Sequence, residues 1–429
     1  MFATRNEFTE IIEGLTPELV NAEAAVGFAP AIRPKLNAHI HLPPNFTAFG
    51  TTEQAVELAD AEDVRVLGAS NYYDYSIYVD FGARAARRGI FPLFGLEIIA
   101  LIDDLVASGV KLNDPGNPGK MYICGKGITQ FDPMPADAGA LLQVIRNNDS
   151  KRMEAITVNL ARVFADAGVE TGLDAAAIKQ RVVARHDCPL ESVYLQERHV
   201  AQAFQEVIFE KIAADDRAAL LEKAFGTPSK SPSSDVTVQN EIRSHLLKAG
   251  KPAFAPDTFV DFDHAYKLIL ALGGIPCYPT LADGTSPITP FEGPVSNMIA
   301  QLQMRGIPAA EFIPNRNSPE VLSEYVHALR KAGLFVTAGT EHNTRDLIAI
   351  EPVCAGDEAI PADVQDIFWE GACVVAAHQF LTLHGRPGFV DAKGAPNPAY
   401  ATADERIKAF AKVGAALLEN YMLAAANRG

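Results

Sequence analysis

Twice along this chain a short apolar run is followed by an amphipathic helical pattern, and the two tracts flank a long middle that breaks the rhythm. In the first tract "RPKLNAHIHL" reads as a strand and "TTEQAVELADAE" as a helix, with Thr51 and Gln54 at capping-box spacing. "VRVLGASN" is the next strand, "SIYVDFGARAARRG" a helix closed near Gly89, and "IFPLFGLEII" a third strand. From about residue 257 the rhythm resumes through "TFVDFDHAYKLILALG", "GIPCYPTL", "VSNMIAQLQMRG" and "PAAEFIPN". It ends with "SPEVLSEYVHALRKAG", in which Ser318 is the cap and Pro319 the first helical residue, and the strand "LFVTAGTEHN". Alternation at this pitch predicts βαβ units and a parallel sheet.

The middle, residues 103–255, begins turn-rich in "LNDPGNPGKMYICGKG" and continues with apolar residues at helical spacing. It reads as a helical insertion or subdomain, naturally placed as a lid over a barrel mouth. The expected organisation is an N-terminal helical segment at 1–30, a β/α barrel from 31–102 and 256–350, the insertion at 103–255, and a helical segment at 351–429 packing on the barrel. The last helix is expected to open on Thr402 and Glu405, again at capping-box spacing.

A net charge of −16 disfavours nonspecific attraction to nucleic acid or anionic lipid, but leaves room for a local basic pocket that takes a small anionic substrate. Cys124, Cys188, Cys277, Cys354 and Cys373 are scattered without a CxxC pair, which argues against a disulfide framework or a cysteine zinc site. The first residues lack a basic region followed by an apolar stretch, and no apolar run approaches the ~20 residues that span a bilayer. The expectation is a cytoplasmic protein with neither nucleic-acid nor membrane partner; its oligomeric state stays open, a homo-oligomer included.

Polar residues gather where the strands end. His39 and His41 stand at i and i+2 in "LNAHIHL", a spacing that aims two imidazoles at one point if the segment is extended. Such a pair either begins a metal site or places one ring in the core and the other in solvent. Asn71 and Tyr72 end the second strand and Glu97 the third; Tyr278, then Glu311 and Asn315, then Glu341, His342 and Asn343 end later ones. In a β/α barrel these ends ring one pocket. Each has a structural alternative: Glu97 as a hydrogen-bonded carboxylate, Glu311 bonding backbone amides, Tyr278 as rim packing, Glu341 and His342 as caps, Arg316 as a surface ion pair rather than an anion clamp. His199 lies on a helix of the insertion, where a lone histidine is usually structural, and His245, His264, His327, His378 and His384 read as helix-face residues.

The order HxH, "GLE", an insertion carrying "RHVAQAF", "GGIPCYP" and "GLFVTAGTEHN" resembles the PHP (polymerase and histidinol phosphatase) superfamily, small phosphoesterase branch, over roughly residues 33–350. The resemblance implies a distorted seven-stranded TIM-like (β/α) barrel of the α/β class, two or three divalent metals, and hydrolysis of phosphate esters or phosphodiesters. His39 and His41 match the first ligand pair, Glu97 the bridging carboxylate, and Glu341 the position of a late aspartate. Other positions depart from the pattern: Phe46 replaces an acidic residue, Asn71-Tyr72 an Asp-His pair, Tyr122 and Tyr278 two histidines, and Asn343 the last histidine, beside which His342 stands. Tyrosine and asparagine are weak ligands for divalent ions, so the expected site is reduced to one zinc, manganese or iron on His39, His41, Glu97 and Glu341. Glu341 and His342 are the expected catalytic groups; Tyr72, Tyr122, His199, Tyr278, Asn315, Arg316 and Asn343 are expected to bind substrate. Two other readings stay open: a lyase or isomerase on a sugar-like or carboxylate compound using the tyrosines, and a catalytically inactive ligand-binding barrel.

Overall fold

The computed structural model describes residues 2–25 and 33–428, so the expected boundary at 30/31 lies outside the described residues. Among the described residues there are eight strands: β1 Lys35–Ile40, β2 Val64–Asn71, β3 Phe91–Leu101, β4 Lys120–Lys126, β5 Val260–Asp261, β6 Ile275–Thr280, β7 Ala309–Phe312 and β8 Phe335–Ala338. Seven follow one another around the sheet in the order β1-β2-β3-β4-β6-β7-β8, with the two-residue β5 beside the end of β3. The ends of that row meet. The His41 amide donates to the Glu341 carbonyl and the Glu341 amide to the His39 carbonyl, both at 2.9 Å, which nearly closes the sheet into a barrel.

The sheet is not wholly parallel, as the strand–helix alternation predicts. β4 runs antiparallel to both β3 and β6. Its sequence, "KMYICGK", follows β3 after only a short helix, Asp103–Ser108, and a Pro/Gly-rich loop. An antiparallel neighbour needs no long crossover, so the chain turns back beside β3 directly. Turn residues hide this strand in the sequence, and the stretch from 103 to 255 therefore contributes a barrel strand as well as helices.

The 32-residue helix Ala136–Ala167 joins two apolar cores. Ala138, Leu142 and Ile145 of its first half belong to the barrel core, while Met153, Ile156, Leu160 and Phe164 belong to a second cluster with Phe204 and Ile208 of the helix Glu197–Lys211. The i, i+3/i+4 spacing of these residues makes one helix face serve both cores. The first half thus anchors to the barrel the helical layer that walls the mouth.

Helices Ala362–Leu383 and Ala403–Ala426 cover the barrel beside β8. Contact is close enough that a Cβ on Gly371 would strike the Val336 carbonyl of β8, and one on Gly414 the Cys373 carbonyl. The expected caps form: Thr51 Oγ1 accepts the Gln54 amide at 3.1 Å, and Thr402 with Glu405 completes a capping box. All five cysteines are free thiols, and no described helix is long and apolar enough to cross a membrane.

Candidate metal centre

Strand geometry turns His39 and His41 to one side of β1, and Glu97 on β3 reaches the same point. Glu97 Oε2 lies 3.3 Å from His41 Nε2 and 3.5 Å from His39 Nε2. None of these three atoms has a hydrogen-bond partner, although each is buried. Leaving buried donors and acceptors unpaired costs roughly 1–3 kcal/mol apiece, so convergent orphans of this kind ask for an occupant. The spacing suits a cation: bonds of roughly 2.0–2.1 Å to a tetrahedral ion separate its ligand atoms by about 3.3 Å. Two imidazoles and a carboxylate, with a position left open, are a donor set for zinc, iron or manganese.

The other side of His39 is held. Its Nδ1 lies 2.6 Å from Glu311 Oε1, and Glu311 Oε2 accepts from Lys126 Nζ of β4 and from Thr337 Oγ1 at 3.3 Å. Burial pushes the His39 imidazole down, but the Glu311 carboxylate outweighs it and raises the ring to about 9. Burial alone would lift Glu97; the two imidazoles reverse that and hold its carboxyl well below the usual carboxylate range. Glu311 is itself kept ionised, down at about 2, because Lys126 and His39 overcome its burial. A carboxylate behind the ring fixes which nitrogen faces a metal.

The cluster borders a cavity of about 420 Å³. Tyr72 and Tyr122 line it beside Glu97, and the Tyr72 ring stacks on His41 with centroids 5.2 Å apart. Burial raises both phenols, leaving them neutral hydrogen-bond donors. On one flank Arg316 donates its fork to Glu341 at 3.0 and 2.5 Å, and the Asn343 amide also donates to Glu341. Glu341 and His342 both have positive φ, 58° and 51°, and this turn carries Glu341 to the cavity and His342 away from it. Lys120, Arg152, Arg198 and Arg243 also line the cavity, together with Asp114, which pairs with Lys120, and Glu197, which pairs with Arg152 and Arg243. Arg198 has no carboxylate partner among the described residues, and burial lowers its guanidinium to about 10.

The expected residues divide accordingly. His39, His41 and Glu97 converge, while Tyr72, Tyr122, Arg316, Glu341 and Asn343 line the cavity. Glu341 joins neither group of close ligand atoms among the described residues, which are His39 with His41 and Glu97, and His39 with Cys124 and Glu311. Its oxygens serve Arg316 and Asn343 instead.

Four residues expected at the site lie elsewhere. His342 stacks on Phe49, with Nδ1 2.7 Å from Thr340 Oγ1 and Nε2 3.1 Å from the Ile348 carbonyl, so both nitrogens are committed. Tyr278 is fully buried and donates to Glu292 Oε1 at 2.9 Å. His199 accepts the Gln196 amide at the start of its helix, and burial pushes its ring down to about 3, so it carries no charge for an anion. Asn315 belongs to the turn Pro314–Arg316 that presents Arg316, without lining the cavity itself.

Sequence reasoning missed Lys126, which sits in the concealed strand, and the cavity residues Arg198, Arg152 and Asp149. Arg198 immediately precedes His199, and one step along a helix rotates the side chain by ~100°. The adjacent arginine, not the histidine, faces the cavity.

No family model matches this chain, and no curated protein does. Among solved structures, a Bifidobacterium adolescentis protein named as a metal-dependent phosphoesterase aligns at 13% identity over 79% of this chain and 96% of its own, with a TM-score of 0.53. An amidohydrolase from Chromobacterium violaceum aligns at 17% identity over 78% and 96%, but its TM-score of 0.49 carries no argument. At such identities the likeness concerns the barrel fold alone.

Proposed function

We propose that this chain is a metal-dependent hydrolase of PHP type that cleaves a small phosphate ester or phosphodiester, using a single divalent ion held by His39, His41 and Glu97. The observation that carries the reading is the set of buried, unpartnered ligand atoms facing one point at the edge of a cavity lined by both cations and carboxylates. The name of the Bifidobacterium protein agrees with it.

When bound, the ion would supply Lewis-acid polarisation of a phosphoryl oxygen and an acidified water. The side chains of this protein do the rest. Arg316, its fork held flat by Glu341, presents donors to anionic oxygens, and Arg198 adds a charge with no ion-pair partner among the described residues. Tyr72 and Tyr122, kept as phenols by burial, donate hydrogen bonds without adding negative charge. The cavity of about 420 Å³ accommodates a small molecule rather than a polymer.

The test is elemental analysis of protein purified without chelator, beside His39→Ala/His41→Ala, followed by a phosphoester screen. About one equivalent of zinc, manganese or iron is expected in the wild type, absent from the double variant, with phosphate release that tracks metal content. No metal after soaking with excess ion overturns the reading.

A further inference from the structure

The cavity wall holds a carboxyl that the metal cluster does not use. Asp149 lies on the helix Ala136–Ala167 and lines the same cavity as Glu97. It is 5% exposed, and its Oδ1 is buried without a hydrogen-bond partner. The groups facing it are Tyr73, Arg152, Lys120 and Asp257. The two cations among them are engaged elsewhere: Arg152 binds Glu197 at 2.6 Å and Asp257 at 3.3 Å, and Lys120 binds Asp114 at 3.1 Å. Asp149 is thus a buried acid in a substrate-sized cavity with no counter-ion of its own. Burial pushes its carboxyl up to about 6, against the smaller pull of the Tyr73 hydroxyl and Arg152.

Two rings separate it from the metal cluster. Tyr72 stacks on His41, the Tyr73 ring lies 5.7 Å from that of Tyr72, and Tyr73 meets Asp149. The acid and Glu97 of the candidate metal cluster thus stand at separate points on the wall of one cavity, with Tyr72 and Tyr73 lining it as well. In phosphoryl transfer the entering and leaving oxygens stand roughly in line on opposite sides of phosphorus. A buried acid on the wall of the same cavity can reach the leaving oxygen of a substrate held there.

We propose that Asp149 is the proton donor to the leaving group, a role that rests on the hydrolase reading above. Water oxygen forms a bond to phosphorus while the bond from phosphorus to the ester oxygen breaks, and that oxygen takes the proton carried by Asp149. The products are an alcohol and hydrogen phosphate. One water proton stays on the phosphate, the other leaves to solvent, and Asp149 recovers a proton from solvent.

Asp149→Asn removes the proton and preserves the shape. The experiment compares an alkyl phosphate, whose poor leaving group needs protonation, with 4-nitrophenyl phosphate, whose leaving group does not. For the metal-loaded variant, kcat/KM on the alkyl ester is expected to fall by roughly 10²–10⁴-fold and on the aryl ester by a few-fold at most. The decline of alkyl-ester activity above about pH 6 should also vanish. Unchanged metal content and a melting temperature at pH 5 no lower than that of wild type would show that the variant is folded. Equal losses on both esters, or no loss on the alkyl ester, overturn the role while leaving the hydrolase reading in place. A wild-type protein inert to both esters removes the hydrolase reading and this role together.

Discussion

Glu311 Oε1 approaches His39 Nδ1 to 2.6 Å across the barrel, while its other oxygen is paired with the buried Lys126. β7 and β4 thereby orient a ring carried by β1, and leave Nε2 of that ring turned toward Glu97. Carboxylates in this position are worth roughly 10–100-fold in metal affinity. Glu311→Gln is expected to weaken metal binding by that factor in a chelator-competition titration. Lys126→Met strands a buried carboxylate and should cost about 3–5 kcal/mol in denaturant unfolding. Wild-type metal affinity in Glu311→Gln would show that the Glu311 contact does not orient the ring.

Arg316 pairs with Glu341 at the edge of the cavity. Its side chain remains 37% exposed although Glu341 takes both ends of its fork. A lysine there keeps the charge and loses the two parallel donors. Arg316→Lys should raise the inhibition constant of inorganic phosphate by about tenfold, which corresponds to about 1.4 kcal/mol. A constant unchanged from wild type would place the anion elsewhere.

Asp149 also predicts a pH dependence of stability. Its carboxyl titrates at about 6 in the folded chain, above the roughly 3.9 of an unfolded aspartate. A group raised in this way contributes stability that is fully present below the unfolded value and is lost as pH rises through the folded one. Asp149→Asn does not titrate, so the variant should match wild type below about pH 4, exceed it progressively between about pH 4 and pH 6, and hold a constant excess above that. The gain at neutral pH should be on the order of 3 kcal/mol, from a shift of about two units. Urea unfolding at pH 4 and pH 7.5 measures both. A variant less stable than wild type at pH 7.5 would mean that the ionised carboxylate is held by its neighbours. Stability lost to retain a buried acid is the pattern of a functional group rather than a packing one.

Local patterns in the sequence were enough for six strands, the caps at Thr51, Ser318 and Thr402, and the shared face of His39 and His41, while Glu97 was joined to them through the family resemblance. These features follow from periods of two and 3.6 residues and from short-range cap geometry, all written within a few neighbouring positions. β4 escaped because turn residues precede it and its partners lie far along the chain. Which of Arg198 and His199 faces the cavity, that His342 turns toward Thr340 and Ile348, and that Glu341 serves Arg316 were settled by packing around the closed barrel. The pairing of Glu311 with His39 spans 272 positions, and no local period encodes it. Sequence alone determined the alternating elements and the paired histidines on β1. Tertiary structure decided what stands behind that pair and what faces it, because closing the sheet brings together side chains whose neighbours in space are not neighbours in the chain.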